Sequence, residues 1–414
     1  MKSENKIGIQ KDKNEAEIKI ILVFKYIIMA IIVGIVVGII DTIFGRGLIE
    51  ISDFRNKNYK FLLPFLPIAG LFITWMYHKF NELSLKGMTL VFETRQQKRN
   101  SIPLALVPLV MVGTWITHLF GGSAGREGVA VQIGATLSHA FGKKLKMPDN
   151  SKVMLITGMA AGFGGLFQTP LTAIFFAMEV IVTGYMDYEA MLPAMIGAFV
   201  ASFTSHTLGL EKFEVNLNQT INMTDAKNVI AIIVLGIAFG IVGRLFSVLL
   251  QKSKIFMSEK IANPYIRIGV ISIPLALCLL FILSGRYTGL GTNLISEALG
   301  GNEVYYYDWS LKLLFTIITL SIGFQGGEVT PLFSIGATLG VVLGSLFGIS
   351  PIVCGALGYA AVFGSATNTL IAPIMIGIEV FGGTNMLPFV IVCVIAYIVN
   401  GNASIYSAQQ KSVM

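Results

Sequence analysis

Two glutamates stand in glycine-led breaks of long apolar runs: Glu127 in "GGSAGREGV" and Glu328 in "GFQGGEVTP". A glycine cluster ahead of a helix exposes several backbone N–H groups at the positive end of the helix dipole, an arrangement suited to an anion. A third such start, "LKGMT", precedes Met88. Pro331, near the start of the helix expected after Glu328, costs no hydrogen bond there. If the three starts converge, they form an anion cradle without a fixed cation. An ionised carboxylate can occupy such a cradle itself, whereas burial favours the neutral form of a carboxyl group, which then leaves carrying a proton. The chemistry expected of Glu127 and Glu328 is therefore the coupling of anions to protons. The structural alternatives are an ion pair between Glu127 and adjacent Arg126, and a helix-dipole carboxylate at Glu328. Ionisable residues inside a membrane are functional by default, which favours the coupling role.

The elements that must position these groups are membrane helices. The 414 residues are 54% hydrophobic and 13% charged, with a mean hydropathy of +0.74, outside what a water-soluble domain can carry. The fold class predicted is an all-α polytopic membrane protein. Apolar stretches long enough to cross a bilayer core of roughly 30 Å lie near 18–45, 59–77, 102–120, 153–178, 189–207, 226–250, 264–283, 308–323, 332–348, 352–380 and 386–400. The first 17 residues are too polar for a signal peptide and are expected to form a solvated cytoplasmic tail. The net charge of +7 is carried by loops such as "RQQKRN" at 95–100 and "GKKLKMPDNSK" at 142–152, as in basic loops held on the cytoplasmic side, with no reason to invoke nucleic acid. Cys278, Cys354 and Cys393 lie in apolar runs without metal-ligand spacing, and His78, His118, His139 and His206 share no spacing. No metal and no cofactor is expected.

The chain also repeats itself. "IGATL" at 133–137 returns at 335–339, and "GMAAGFGGLFQTPLTAIFFAMEV" at 158–180 lies on "GYAAVFGSATNTLIAPIMIGIEV" at 358–380. "MLP" at 191–193 matches 386–388, and "GMTLVFE" at 87–93 resembles "GTNLISE" at 291–297. The predicted organisation is two related membrane halves, 18–220 and 226–414, with no soluble domain attached. Such proteins commonly place an ion site where the halves meet, on helices that stop partway through the bilayer. Glu179 and Glu379 occupy equivalent places at the ends of apolar helices, so capping or pairing is expected of both.

At these motifs the sequence resembles the CLC family of chloride channels and proton-coupled antiporters. "GREGV" is similar to the family's GREGP segment, whose glutamate is the gate, and "GGEVTP" to its GxFxP segment. Tyr406 in "NASIYS" sits where the family places an anion-coordinating tyrosine, and "QTPLTAIFFAMEV" resembles a helix near the family's dimer interface. The departures narrow the resemblance. Met88 replaces the serine of GSGIP, Val129 the proline after the gate and Val329 the phenylalanine of GxFxP. Val180 stands where chloride/proton antiporters carry an internal glutamate. This combination resembles the CLC-F branch, which exports fluoride in exchange for protons.

The resemblance implies a pathway through Met88, Glu127, Gly128, Val129, Val329, Thr330 and Tyr406, with Glu127 and Glu328 coupling protons. It further implies an inverted repeat with broken helices, a multi-pass bacterial cell-membrane location surrounded by lipid, and a homodimer with one pathway per subunit. The nearer alternative is a chloride channel or chloride/proton antiporter of the same fold. A different class is suggested by "GGSAG" at 121–125, which satisfies the nucleophile-elbow pattern of a serine hydrolase, with His118 and His139 nearby. The second copy reads "GFQGG" and puts Gln325 opposite Ser123, as expected if the glycines matter and the serine is incidental.

Overall fold

The structure, a computed structural model, describes residues 2–148 and 151–411. In the first half the helices are α1 (Lys2–Leu62), α2 (Leu66–Phe80), α3 (Met88–Arg95), α4 (Leu106–Leu119), α5 (Glu127–Lys144), α6 (Lys152–Phe167), α7 (Pro170–Glu179) and α8 (Met191–Thr207). In the second they are α9 (Ala226–Lys260), α10 (Pro264–Phe281), α11 (Thr292–Leu299), α12 (Asp308–Ile322), α13 (Val329–Phe347), α14 (Pro351–Thr367), α15 (Ile371–Phe381) and α16 (Met386–Asn400). Each helix has a counterpart eight elements later, down to the eight-residue pair α3 and α11. Gly87 and Gly291 precede that pair with φ of +49° and +86°, a left-handed turn that glycine makes without a Cβ clash.

Not every apolar stretch crosses the bilayer. The run 153–178 breaks at Gln168 (φ +61°) into α6 and α7, and 352–380 breaks at Asn368 (φ +58°) into α14 and α15. These pieces have 10 to 17 residues, about 15 to 25 Å of helix, and each alone is shorter than the roughly 30 Å core. Hydropathy sees only the sum of two such pieces, so one predicted crossing becomes two half-helices with a buried turn between them.

The outside of the bundle is as apolar as its inside. On α1, Ile28, Ile32, Ile35, Ile39 and Ile43 follow helical spacing and are exposed, while Val33 and Val37 are buried. That pattern fits lipid on one side and protein on the other. Small residues bring helices close inside. A Cβ on Gly134 would lie 2.0 Å from Gly158 O, and one on Gly336 2.0 Å from Gly358 O. The repeated pentapeptide is therefore the point where α5 crosses α6, and again where α13 crosses α14, backbone against backbone.

Contacts between the halves are reciprocal. Gly125 N donates to Gly327 O at 2.5 Å, and Gly327 N donates to Gly125 O at 2.8 Å. Glu179 accepts from the backbone N–H groups of Leu370, Ile371 and Ala372, while Glu379 accepts from those of Leu171 and Thr172 and from the Thr172 hydroxyl. Residue i meeting j while the equivalent of j meets the equivalent of i is the mark of a two-fold relation. The two halves are thus related by a local two-fold axis.

Candidate ion-binding site

The antiparallel bridge between Gly125 and Gly327 sets two helix starts side by side, α5 at Glu127 and α13 at Val329. Glu127 is fully buried, and it does not cap its own helix. Its Oε2 accepts from Thr330 N at 3.1 Å and from the Thr330 hydroxyl at 2.5 Å, with Arg126 N at 3.3 Å. Its Oε1 lies 3.7 Å from Arg126 Nε. A carboxylate oxygen from the first half thus sits on the N-terminus of a helix from the second, where backbone N–H groups and the dipole favour an anion. The contact with Arg126 exists beside the Thr330 seat and does not replace it.

Two cavities flank the seat. One, of about 380 Å³, is lined by Met88, Gln132, Lys254, Glu328 and Tyr406, among others. The other, of about 390 Å³, is lined by Arg55, Arg126 and Arg286 with several serines and asparagines. Arg126 borders one and Glu328 the other, and Glu127, between these two in the bridge region, lines neither. Gly128 leaves room there: a Cβ on it would lie 3.8 Å from Glu328 Oε2 and 3.6 Å from Gly327 Cα. Of the pathway residues named from the sequence, Met88 and Tyr406 border the first cavity with Glu328, and Glu127 and Thr330 form the closed seat. Val129, the third residue of α5, and Val329, the first of α13, line neither cavity and pack in the apolar core.

Sequence reasoning passed over several groups. Gln132, five residues after Glu127 and the one amide side chain in α5, borders the same cavity, where its Oε1 and Tyr406 Oη are buried without a hydrogen-bond partner among the described residues. Lys254 near the end of α9 reads as an ordinary basic helix end. Lys312 on α12 is fully buried and donates to Ser123 Oγ at 2.9 Å, Gly289 O at 2.7 Å and Tyr287 O at 3.2 Å. These three contacts hold the loop ahead of Glu127. Ser123 also meets the Thr316 hydroxyl at 2.9 Å and is fully buried. Both ring nitrogens of His118 meet backbone carbonyls, Thr114 O and Ala124 O, so no imidazole is available to Ser123 from that residue.

Glu179 and Glu379 do the capping expected of them, each on the helix of the opposite half. Glu379→Ala strands three donors at the start of α7 and is expected to lower stability by about 2–3 kcal/mol, seen as a lower midpoint of thermal unfolding in detergent, with coupled transport retained at moderate temperature. An unchanged midpoint rejects the capping role.

With this geometry in hand, a family model described as "Voltage gated chloride channel" matches residues 69–401. The chain belongs to the voltage-gated chloride channel (CLC) family. Within it, the chloride/fluoride channel protein of Pseudomonas syringae pv. tomato is 33% identical over 396 residues, covering 93% of this chain and 86% of that one. The H(+)/Cl(-) exchange transporter ClcA of Yersinia pestis is 23% identical, with 92% and 86% covered. The crystal structure of a CLC-type fluoride/proton antiporter superposes with a TM-score of 0.92 at 48% identity, over 94% of this chain and 98% of that one. A slow cyanobacterial Cl-/H+ antiporter shares the fold, with a TM-score of 0.79 at 19% identity over 92% and 96% of the two chains. This CLC chain is therefore an inverted-repeat helical membrane protein and not an enzyme, and the hydrolase reading of Ser123 falls with the buried, lysine-bound state of that side chain.

Proposed function

We propose that this protein exports fluoride across the bacterial cell membrane in exchange for protons, with the Glu127 carboxylate and the anion alternating at the Thr330 seat. The observation that carries this reading is the seat itself. It is occupied by a carboxylate oxygen at 2.5 and 3.1 Å from a hydroxyl and a backbone N–H, lengths that suit a small first-row acceptor. Fluoride presents an atom of that kind, and its strong hydration must be replaced by close hydrogen bonds, whereas a larger halide needs a roomier site. The similarity to a CLC-type fluoride/proton antiporter supports the same choice.

In this scheme Glu127 leaves the seat protonated and returns ionised. Met88, Glu328 and Tyr406 border the approach, and Glu328 supplies the second protonatable group. Gly128 gives the gate room to move, and Val129 and Val329 wall the seat against water. The working assembly is a homodimer in lipid with one pathway per subunit. In proteoliposomes loaded with both anions, fluoride efflux is expected to exceed chloride efflux by more than about tenfold, a difference of about 1.4 kcal/mol in barrier. Equal rates reject fluoride selectivity and leave a chloride carrier of the same fold.

A further inference from the structure

Glu328 offers its two carboxylate oxygens to different surroundings. Oε2 lies toward Gly128 at the gate, whereas Oε1 lies 3.5 Å from Lys254 Nζ, and both residues border the 380 Å³ cavity. The Glu328 side chain is 12% exposed and that of Lys254 45% exposed, so the pair stands at the boundary between the seat and open water. Other charged groups border the same cavity and have partners elsewhere. Lys86 lies 3.7 Å from Glu93, and Arg267 donates to the carbonyls of Ile322 and Ile261. Glu127 and Tyr406 complete the groups that face Glu328. The cavity opens beside the basic loop at 95–100, since Gln96 donates to the carbonyl of Ala408 on its lining; basic loops face the cytoplasm.

We propose that Lys254 is a binding site for the transported anion, shared with Glu328 and released to the anion when that carboxyl group takes a proton. The inference rests on the fluoride/proton reading above. A proton from the cytoplasm bonds to Glu328 and ends its attraction to the ammonium. A fluoride ion then takes the place of the lost negative charge beside Lys254, one step short of the Thr330 seat. The net charge around Lys254 is the same before and after, so proton arrival and anion capture are a single event, and neither ion gains by binding alone. When the anion moves on, the carboxyl group returns its proton to cytoplasmic water, so none leaves with the fluoride, and it pairs with Lys254 again.

The test uses full-length protein in proteoliposomes, with internal fluoride and internal pH varied separately. Lys254→Gln is expected to raise the half-saturating internal fluoride concentration roughly fivefold, the scale of a partly exposed ion pair. It also uncouples protonation of Glu328 from anion capture, so the half-saturating fluoride concentration no longer falls as internal pH is lowered, as it does in the parent protein. The maximal rate at saturating fluoride stays near that of the parent protein, and Lys254→Arg retains both the parent half-saturation and the parent pH profile. Unchanged half-saturation and an unchanged internal-pH profile in Lys254→Gln, or a loss confined to the maximal rate, overturn the proposal while parent exchange continues. Parent protein that moves no fluoride overturns the functional reading and this inference together.

Discussion

Glu127→Gln is expected to reduce fluoride-driven proton uptake to background in proteoliposomes. The amide keeps the shape of the side chain and can still accept from Thr330 N and the Thr330 hydroxyl, the contacts that hold the carboxylate at 3.1 and 2.5 Å. It cannot gain or lose a proton near neutral pH, and it carries no charge with which to compete against an anion for the start of α13. Each turn of the cycle therefore loses its proton, and whatever fluoride flux remains is uncoupled. Recording fluoride efflux and proton uptake in the same vesicles decides the matter. Normal proton uptake in this variant removes Glu127 from the coupling mechanism, because no other carboxylate was found in the Thr330 seat among the described residues.

The second large effect lies in packing. Gly134→Val and Gly336→Val are each expected to prevent recovery of a monodisperse folded protein, with a destabilisation above about 4 kcal/mol. The cause is the 2.0 Å approach of each missing Cβ to a backbone carbonyl, Gly158 O or Gly358 O. Backbone cannot swing aside as the end of a side chain can, so the whole crossing has to separate. Gly383→Ala is the control, since nothing lies within 4 Å of a Cβ there. Size-exclusion profiles and thermal unfolding of the three variants distinguish a specific crossing from a general intolerance of lost glycines; a monodisperse Gly336→Val protein of normal stability contradicts the packing described.

Most of this architecture was legible because it is written twice. The match of "IGATL" to itself follows from two equivalent crossings, and the paired Glu179 and Glu379 follow from two equivalent caps. Glycines at 125 and 327 mark the two helix starts that meet. The breaks inside 153–178 and 352–380 escaped a hydropathy reading because the polar turns, Gln168–Thr169 and Thr367–Asn368–Thr369, are short beside the apolar residues that flank them. At the site, Glu127 and Glu328 stood out as charges in apolar surroundings, whereas Lys254 did not, since a lysine near the end of a long helix has many ordinary explanations. Its proximity to Glu328, 74 positions along the chain, is a product of tertiary structure. Val129 and Val329 were named from the likeness to the family's motifs, and in the fold both are buried in the apolar core and border neither cavity.

The Gly125–Gly327 bridge constrains how such a machine can run. Both of its hydrogen bonds join one half to the other, two residues before Glu127. Prising the halves apart strands two N–H groups and two carbonyls in a region where water is scarce, each at a cost of 1–3 kcal/mol or more. Rotating the Glu127 side chain breaks only its contacts with Thr330 and Arg126. The cheaper route for an ion is thus a swing about side-chain torsions within a seam that stays sewn. Under the alternation proposed for Glu127, the protein works as a turnstile in a fixed frame, with its moving part no larger than one residue.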